Sequence, residues 1–293
     1  MKVLVLGGTR FFGVRLIKHA LDAGHTVVVA TTGRSPVPFA DRVEHVTVDR
    51  HDRASMEAAL KGREFDVVYD QVGYSPDDAS VACDVFQGRI GRLIFTSSAS
   101  VYEPQTIPLK EEMFDPRVAP LRHGGKDELT YPEGKRYAEA MYFQQATFPV
   151  TAVRFPIVVG EDDYTGRFQF HVERVLHGEE IGIPSKAAKM SFISADEAAA
   201  FLHWLGMSEL RGPVNAAAHT PLTAQEVVDI VAGVVGKVPV VSDSGADGVR
   251  SPYDTPVNFT LNLAKATAHG YRFSSSRDWL PEVTARVLAN LHT

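Results

Sequence analysis

The sequence predicts a doubly wound α/β fold, a parallel sheet with helices on both faces. Short apolar runs of strand length recur from the N-terminus, and stretches with helical spacing separate them. The runs are almost continuously apolar, as expected of strands covered on both sides. Glycines and small polar residues follow the runs at their C-terminal ends, where ligands of such sheets bind.

Val3 to Leu6 is the first strand, and Gly7 and Gly8 let the chain turn sharply after it. Val14, Leu16, Ile17, Ala20 and Leu21 give the first helix, which stops at Ala23-Gly24. His25 to Ala30 is the second strand and Val43 to Val48 the third. Arg53 to Leu60 is helical, Phe65 to Asp70 is the fourth strand, and Asp77 to Phe86 is a helix. Ile90 to Phe95 is the fifth strand and runs into Thr96-Ser97-Ser98-Ala99-Ser100-Val101-Tyr102. A long Pro-rich loop then leads to Thr130, which forms a capping box with Glu133 and opens a helix. Pro149 to Pro156 is a sixth strand.

Beyond Gly160 the pattern changes. Helices are expected over Gly166 to Leu176, from Ser194-Ala195-Asp196-Glu197 to Leu205, from Thr223 to about Gly236, and over Asp278 to Leu291. The expected division is a nucleotide-binding domain over 1–160 and a smaller, mainly substrate-binding lobe over 161–293. Segments of the lobe return to the first domain. The lobe reads as too short and irregular for an obvious core of its own.

A hydrophobic content of 44% and a charged content of 23% are those of an ordinary globular chain. The net charge of −6 argues against non-specific nucleic-acid binding, which needs a basic surface, and leaves a local basic patch open. A single cysteine, Cys83, allows no intrachain disulfide and suits the cytoplasm. The N-terminal apolar run is too short for a signal peptide, and no stretch reaches the length of a membrane span. The eleven histidines are scattered, and no metal site is expected. Asp162 and Asp163 read as an acidic loop.

The strand, the Gly7-Gly8 turn and the following helix N-terminus make a candidate phosphate site over Gly7, Gly8, Thr9, Arg10, Phe11, Phe12 and Gly13. Arg10 stands where a second spaced glycine is usual. The second strand ends without the acid that holds a ribose 2′-hydroxyl. Thr32, Arg34 and Ser35 read either as a receptor for a 2′-phosphate or as a solvated turn. Of nine tyrosines only Tyr131 has a lysine four residues on, Lys135, which places the two on one helix face. A tyrosine with a pKa of ~10 is a poor base at neutral pH, and a neighbouring ammonium favours its phenolate. Such a pair can exchange a proton with a substrate hydroxyl or carbonyl, and Ser98 can bond the same oxygen. The plainer alternative is an aromatic at a helix start beside a surface lysine.

The chain resembles the extended, or atypical extended, short-chain dehydrogenase/reductases of the NAD(P)-dependent epimerase/dehydratase group, with a Rossmann-type nucleotide domain. The resemblance rests on Gly7 to Gly13, Phe95 to Tyr102, Tyr131-Pro132-Glu133-Gly134-Lys135, Arg154 to Gly160, Ser191 to Ala198 and Gly212-Pro213-Val214-Asn215, in that order. It implies a catalytic group of Ser98, Tyr131 and Lys135 and phosphate binding at residues 7–13. It also implies Asp49 and Arg50 near adenine, Val72 and Gly73 lining the cofactor, Pro156 near nicotinamide, and Lys135 on the nicotinamide ribose. The implied function is an NAD(P)-dependent oxidoreductase or epimerase acting on a hydroxyl or carbonyl carbon of a small molecule such as a nucleotide sugar. The missing acid and Arg34 lean the cofactor toward NADP over NAD. Ala99 and Ser100 stand where sugar-nucleotide dehydratases of the family have an acidic pair, which argues against water elimination. The Gly-Gly-Thr-Arg-Phe variant looks like a subgroup that includes chloroplast stem-loop RNA-binding proteins. A non-catalytic nucleotide-sensing or RNA-binding protein is therefore the alternative. Relatives are often dimers through helices of the nucleotide domain, which leaves a homodimer open.

Overall fold

A computed structural model describes residues 1–291. The elements in chain order are β1 (Lys2–Leu6), α1 (Phe12–Asp22), β2 (Thr26–Thr31), β3 (Glu44–Thr47), α2 (Arg53–Ala59), β4 (Phe65–Asp70), α3 (Pro76–Phe86), β5 (Ile90–Ser98), α4 (Tyr131–Gln145), β6 (Val150–Phe155) and β7 (Ile157–Val159). They continue with α5 (Arg167–His177), β8 (Glu180–Gly182), β9 (Lys189–Met190), β10 (Phe192–Ser194), α6 (Ala195–Met207), β11 (Gly212–Asn215), β12 (Leu222–Thr223), α7 (Ala224–Val235), β13 (Val240–Ser242), α8 (Ala264–Ala268) and α9 (Ser276–Leu291).

Two compact units result. The first comprises residues 1–102, 111–155 and 199–215, and the second 103–110, 156–198 and the chain from 216 onward. In the first unit seven parallel strands take the order β11-β6-β5-β4-β1-β2-β3. The order reverses between β1 and β4, the switch point where such sheets leave a crevice. Register brings Leu6, Ala30, Asp70 and Phe95 to one edge, so the loops that follow β1, β2, β4 and β5 leave the sheet side by side. The doubly wound expectation is met. Strand β5 continues through Ser98, further than its apolar run ends, because Thr96 to Ser98 pair with Val153 to Phe155 of β6.

Helix starts follow local chemistry. Ser75 and Asp78 form a reciprocal box with Pro76 in the first turn of α3. At α4 the Glu133 carboxylate accepts bonds from the Thr130 backbone N–H and hydroxyl.

The second unit corrects the expectation that it lacks a core. Phe168, Val172 and Val175 of α5, Val227, Val228 and Val231 of α7, and Leu280, Val283 and Val287 of α9 are buried together with Val159, Ile181, Phe192 and Leu222. These positions lie far apart in the chain, so no window of sequence shows them as one cluster.

A buried polar network crosses the core of the first unit. Arg154, at the end of β6, uses all five of its N–H donors: two bonds reach the Glu139 carboxylate (3.0 and 2.6 Å), and the others reach Tyr102 OH, Glu111 O and Phe114 O. Glu139 also accepts from Ser97 Oγ at 2.5 Å. Arg154 and Glu139 are fully buried. Truncating one partner strands the other charge in the core, so Glu139→Ala should lose ~3–5 kcal/mol in urea unfolding. Adding Arg154→Met should recover part of that loss; full additivity of the two substitutions would refute the coupling.

Candidate active site

Gly7 and Gly8 adopt φ of +85° and +80°, a region that disfavours side chains. A Cβ on Gly13 would lie 2.7 Å from Gly8 Cα, so α1 packs against the turn only because both residues are glycine. The Arg10 substitution does not break this loop. Arg10 itself is not among the residues at positive φ; Phe11 is, at +53°. Phe11 is buried, and its ring lies edge-on to Phe12 at 5.4 Å. The Arg10 side chain is exposed, while Thr9 and Phe12 are half-buried.

Val72 lies over the turn, since a Cβ on Gly7 would meet Val72 Cγ1 at 2.6 Å. The next residue is constrained more tightly. A Cβ on Gly73 would meet Asp70 Oδ2 at 2.7 Å and Phe95 Cε2 at 2.8 Å. Asp70 closes β4 and is fully buried. Its carboxylate accepts from Arg50 Nη1 (2.5 Å), Tyr142 OH (2.5 Å) and the Val72 N–H (3.1 Å). Burial alone would raise the Asp70 carboxyl, but the Arg50 guanidinium and the Tyr142 hydroxyl outweigh it and hold it below the ordinary carboxylate range. Arg50 also donates to Asp78 O at 2.9 Å; burial opposes its charge, but Asp70, Tyr142 and Asp78 together outweigh that and raise its pKa. Its guanidinium is thus committed inside the protein. Asp49 beside it is exposed and accepts from the His51 N–H. Thr32 and Arg34 are exposed in the turn after β2, and Arg34 enters no ion pair among the described residues. Pro156 belongs to the second unit and is half-buried.

Helix α4 carries both Tyr131 and Lys135. Tyr131, in its first turn, is 52% exposed, whereas Lys135 one turn later is buried. Lys135 Nζ donates to Gly73 O (2.7 Å) and Thr96 O (2.8 Å), at the ends of β4 and β5. The ammonium lies 4.6 Å from the Tyr74 ring centre, 4.9 Å from that of Phe95 and 5.8 Å from that of Tyr131. Ser98 is half-buried, and its Oγ accepts from the Ser100 N–H at 3.1 Å. Lys135, Glu139 and Tyr142 follow one another at helical spacing, so the buried face of α4 is a polar stripe. Lys135 bonds the ends of β4 and β5, Glu139 bonds Ser97 and Arg154, and Tyr142 bonds Asp70. Asp70, Glu139, Tyr142 and Gly134 are the site-building residues that sequence reasoning missed. Gly134 had a readable signal, since a glycine inside a helix calls for a packing reason. A Cβ there would stand 2.3 Å from Tyr74 O.

The Gly7–Gly13 cradle fits a dinucleotide phosphate, because its glycines leave room for a ligand to approach backbone N–H groups. Lys135 keeps one N–H beyond its two backbone bonds, enough for a ribose hydroxyl. Asp163 accepts from Thr165 N and Oγ1, which closes a local turn. Among the described residues no group of three or more His, Cys, Asp or Glu could hold a metal ion, and no helix is long and apolar enough to cross a membrane. A shallow basin at the opposite, N-terminal edge of the sheet, bounded by Lys2, Asp66 and Arg89, lies away from these groups.

Residues 3–87 match the model of the NAD dependent epimerase/dehydratase family. Two curated relatives are similar. One is the chloroplast stem-loop binding protein of 41 kDa b of Arabidopsis thaliana, 28% identical over 70% of this chain and 55% of that protein. The chain thus spans little more than half of that relative's length. The other is the 2′-dehydrokanamycin reductase of Streptomyces kanamyceticus, 27% identical over 81% of this chain and 67% of that protein. Among solved structures, the fold is similar to UDP-glucose 4-epimerase of Thermus thermophilus in complex with NAD (TM-score 0.76, 20% identity, 98% of this chain and 99% of that one). It is also similar to UDP-glucuronic acid 4-epimerase of Bacillus cereus in complex with UDP-glucuronic acid and NAD (TM-score 0.77, 16% identity, 99% and 100%). The resemblance to the epimerase/dehydratase group is borne out.

Burial pushes the Lys135 amine down to about 8, with Asp70 opposing part of the effect. Between pH 8 and the ordinary lysine value, the unfolded chain holds a proton that the folded protein has released, so stability contributed at this site rises with pH. In denaturant titrations from pH 7 to 10, wild type should gain stability relative to Lys135→Met. A constant difference would show that Lys135 titrates like a surface lysine.

Proposed function

We propose that this chain is an NAD(P)-dependent epimerase or carbonyl reductase acting on a hydroxyl or carbonyl carbon, with a nucleotide sugar as substrate. The observation that carries the reading is Lys135. It is a buried ammonium fixed at the ends of two central strands, one helical turn from a solvent-accessible tyrosine. Burial without a bonded carboxylate is costly for a lysine, and proton transfer beside a dinucleotide gives that placement a use.

Tyr131 exchanges its phenolic proton with the substrate oxygen. The Lys135 charge favours the phenolate during that exchange. Ser98 donates a hydrogen bond to the same oxygen and holds it in reach. When bound, a nicotinamide dinucleotide would supply hydride to the reacting carbon or accept it. Gly7, Gly8, Thr9, Arg10, Phe11, Phe12 and Gly13 receive its phosphates, with the exposed Arg10 adding a cation at the rim. Val72 and Gly73 line the site, and Asp49 borders the adenine end. Arg50 supports that end from inside. Pro156 contributes on the nicotinamide side. Ala99 and Ser100 supply no acid–base pair, so epimerisation or reduction is favoured over dehydration. Arg34, exposed and without an acid at the end of β2, favours NADP over NAD. The second unit binds the remainder of the substrate.

The two similar epimerase structures, both in complex with NAD, support this reading, as does the reductase among the curated relatives. The stem-loop binding relative is similar over 70% of this chain, but a chain of net charge −6 is a poor scaffold for RNA.

Tyr131→Phe should lower turnover by about 10²–10⁴-fold across a panel of nucleotide sugars and small carbonyl compounds, while dinucleotide affinity stays nearly constant. Unchanged turnover would remove Tyr131 from the chemistry. Arg34→Ala should weaken NADPH binding by about tenfold and leave NADH binding alone, as expected for loss of one charge-assisted contact. Equal effects on both cofactors would withdraw the NADP preference.

A further inference from the structure

One cation at this site has no use in the proton transfer just described. Lys126 opens the short turn Lys126–Glu128, and its Nζ lies 5.1 Å from the centre of the Tyr74 ring. Lys135 Nζ lies 4.6 Å from the same centre. Two ammoniums thus share one aromatic platform. The ring quadrupole attracts each of them.

The platform is fixed on both sides. The Tyr74 N–H donates to Asp78 Oδ2 at 2.9 Å, and its carbonyl stands against Gly134 of α4 with no room for a side chain between. The Lys126 loop is also held. Asp77 Oδ1 takes the His123 ring nitrogen at 3.0 Å and the Gly124 N–H at 3.2 Å, two residues before Lys126. Lys126 is exposed, yet no carboxylate forms an ion pair with it among the described residues, its neighbours Asp127 and Glu128 included. A lysine held at an aromatic ring and left without a counter-ion is suited to an anion brought by a ligand.

We propose that Lys126, seated on Tyr74, selects substrates with a carboxylate close to the reacting carbon. The assignment rests on the nucleotide-sugar reading above. The phosphates of such a substrate are far from its reacting carbon, so the anion at this end is a carboxylate on the sugar ring. The substrate class is therefore a nucleotide-linked uronic acid rather than a neutral nucleotide sugar.

The test is calorimetric titration of the dinucleotide-loaded protein with UDP-glucuronate and with UDP-glucose, which differ at one carbon. Wild type should bind the uronate about tenfold or more tightly, the scale of a single charge-assisted contact, and added salt should shrink the preference. Lys126→Ala should erase it while leaving UDP-glucose and dinucleotide affinities near wild type, and Lys126→Arg should keep most of it. Binding of both sugars without a preference, or a preference that survives Lys126→Ala, overturns the assignment and leaves the nucleotide-sugar reading standing. Failure of both sugars to bind the loaded protein overturns that reading and the assignment together.

Discussion

The ion pair between Arg50 and Asp70 is the constraint from which the rest of the site follows. Asp70 stands at the end of β4, where the sheet order reverses, paired with Leu6 of β1 on one side and Phe95 of β5 on the other. A carboxylate buried there must be neutralised and bonded, and Arg50, Tyr142 and the Val72 N–H do both. Each bond fixes a different piece of chain. Arg50 ties in the segment between β3 and α2, Tyr142 ties in α4, and Val72 ties in the loop that leaves β4. Gly73 is then pressed between Asp70 and Phe95, and its carbonyl is held where Lys135 finds it. The Asp70 charge also offsets part of the burial penalty on the Lys135 ammonium. A hydrophobic substitute could match the pair in stability. It could not aim a backbone carbonyl and a lysine at the same point.

Helix α4 shows why such bonds matter more here than apolar burial. Oily contacts tolerate sliding by fractions of an ångström, whereas hydrogen bonds to named atoms do not. Lys135, Glu139 and Tyr142 form three such attachments along one buried face, to four strands in all through their partners on β4, β5 and β6 and the Asp70 contact with β1. The helix that presents Tyr131 therefore has a defined rotation and height over the sheet. The exposed phenol gains a fixed position from groups that lie beneath it.

Much of this frame is legible in the sequence. Parallel strands buried on both faces read as apolar runs, and Phe65 to Asp70 reads correctly to its ends. Thr130-Glu133 and Thr223-Glu226 are local boxes, closed by contacts three residues apart, and helices begin after both. The pairing of Tyr131 with Lys135 is visible for the same reason. Long-range polar contacts are not. Asp70 and Tyr142 are 72 positions apart, and nothing near either residue marks the other as its partner. Arg154 sits in a recognised motif, yet its five bonds depend on Glu139, Tyr102, Glu111 and Phe114 converging from three other segments. Phe11 holds the positive φ that glycine spacing places elsewhere, because spacing records residue type and not backbone angle. The core of the second unit is hidden because its helices bury apolar residues against partners distant in the chain.

The central claim is that Lys135 is held at the strand ends in order to meet a nicotinamide dinucleotide. Calorimetric titration of wild type and Lys135→Met with NADH and NADPH tests it most directly. The account predicts saturable binding of one dinucleotide per chain by wild type and a loss of about tenfold or more in Lys135→Met, as for removal of one charged hydrogen bond. Absence of binding to wild type, or equal affinities in the two proteins, would contradict it.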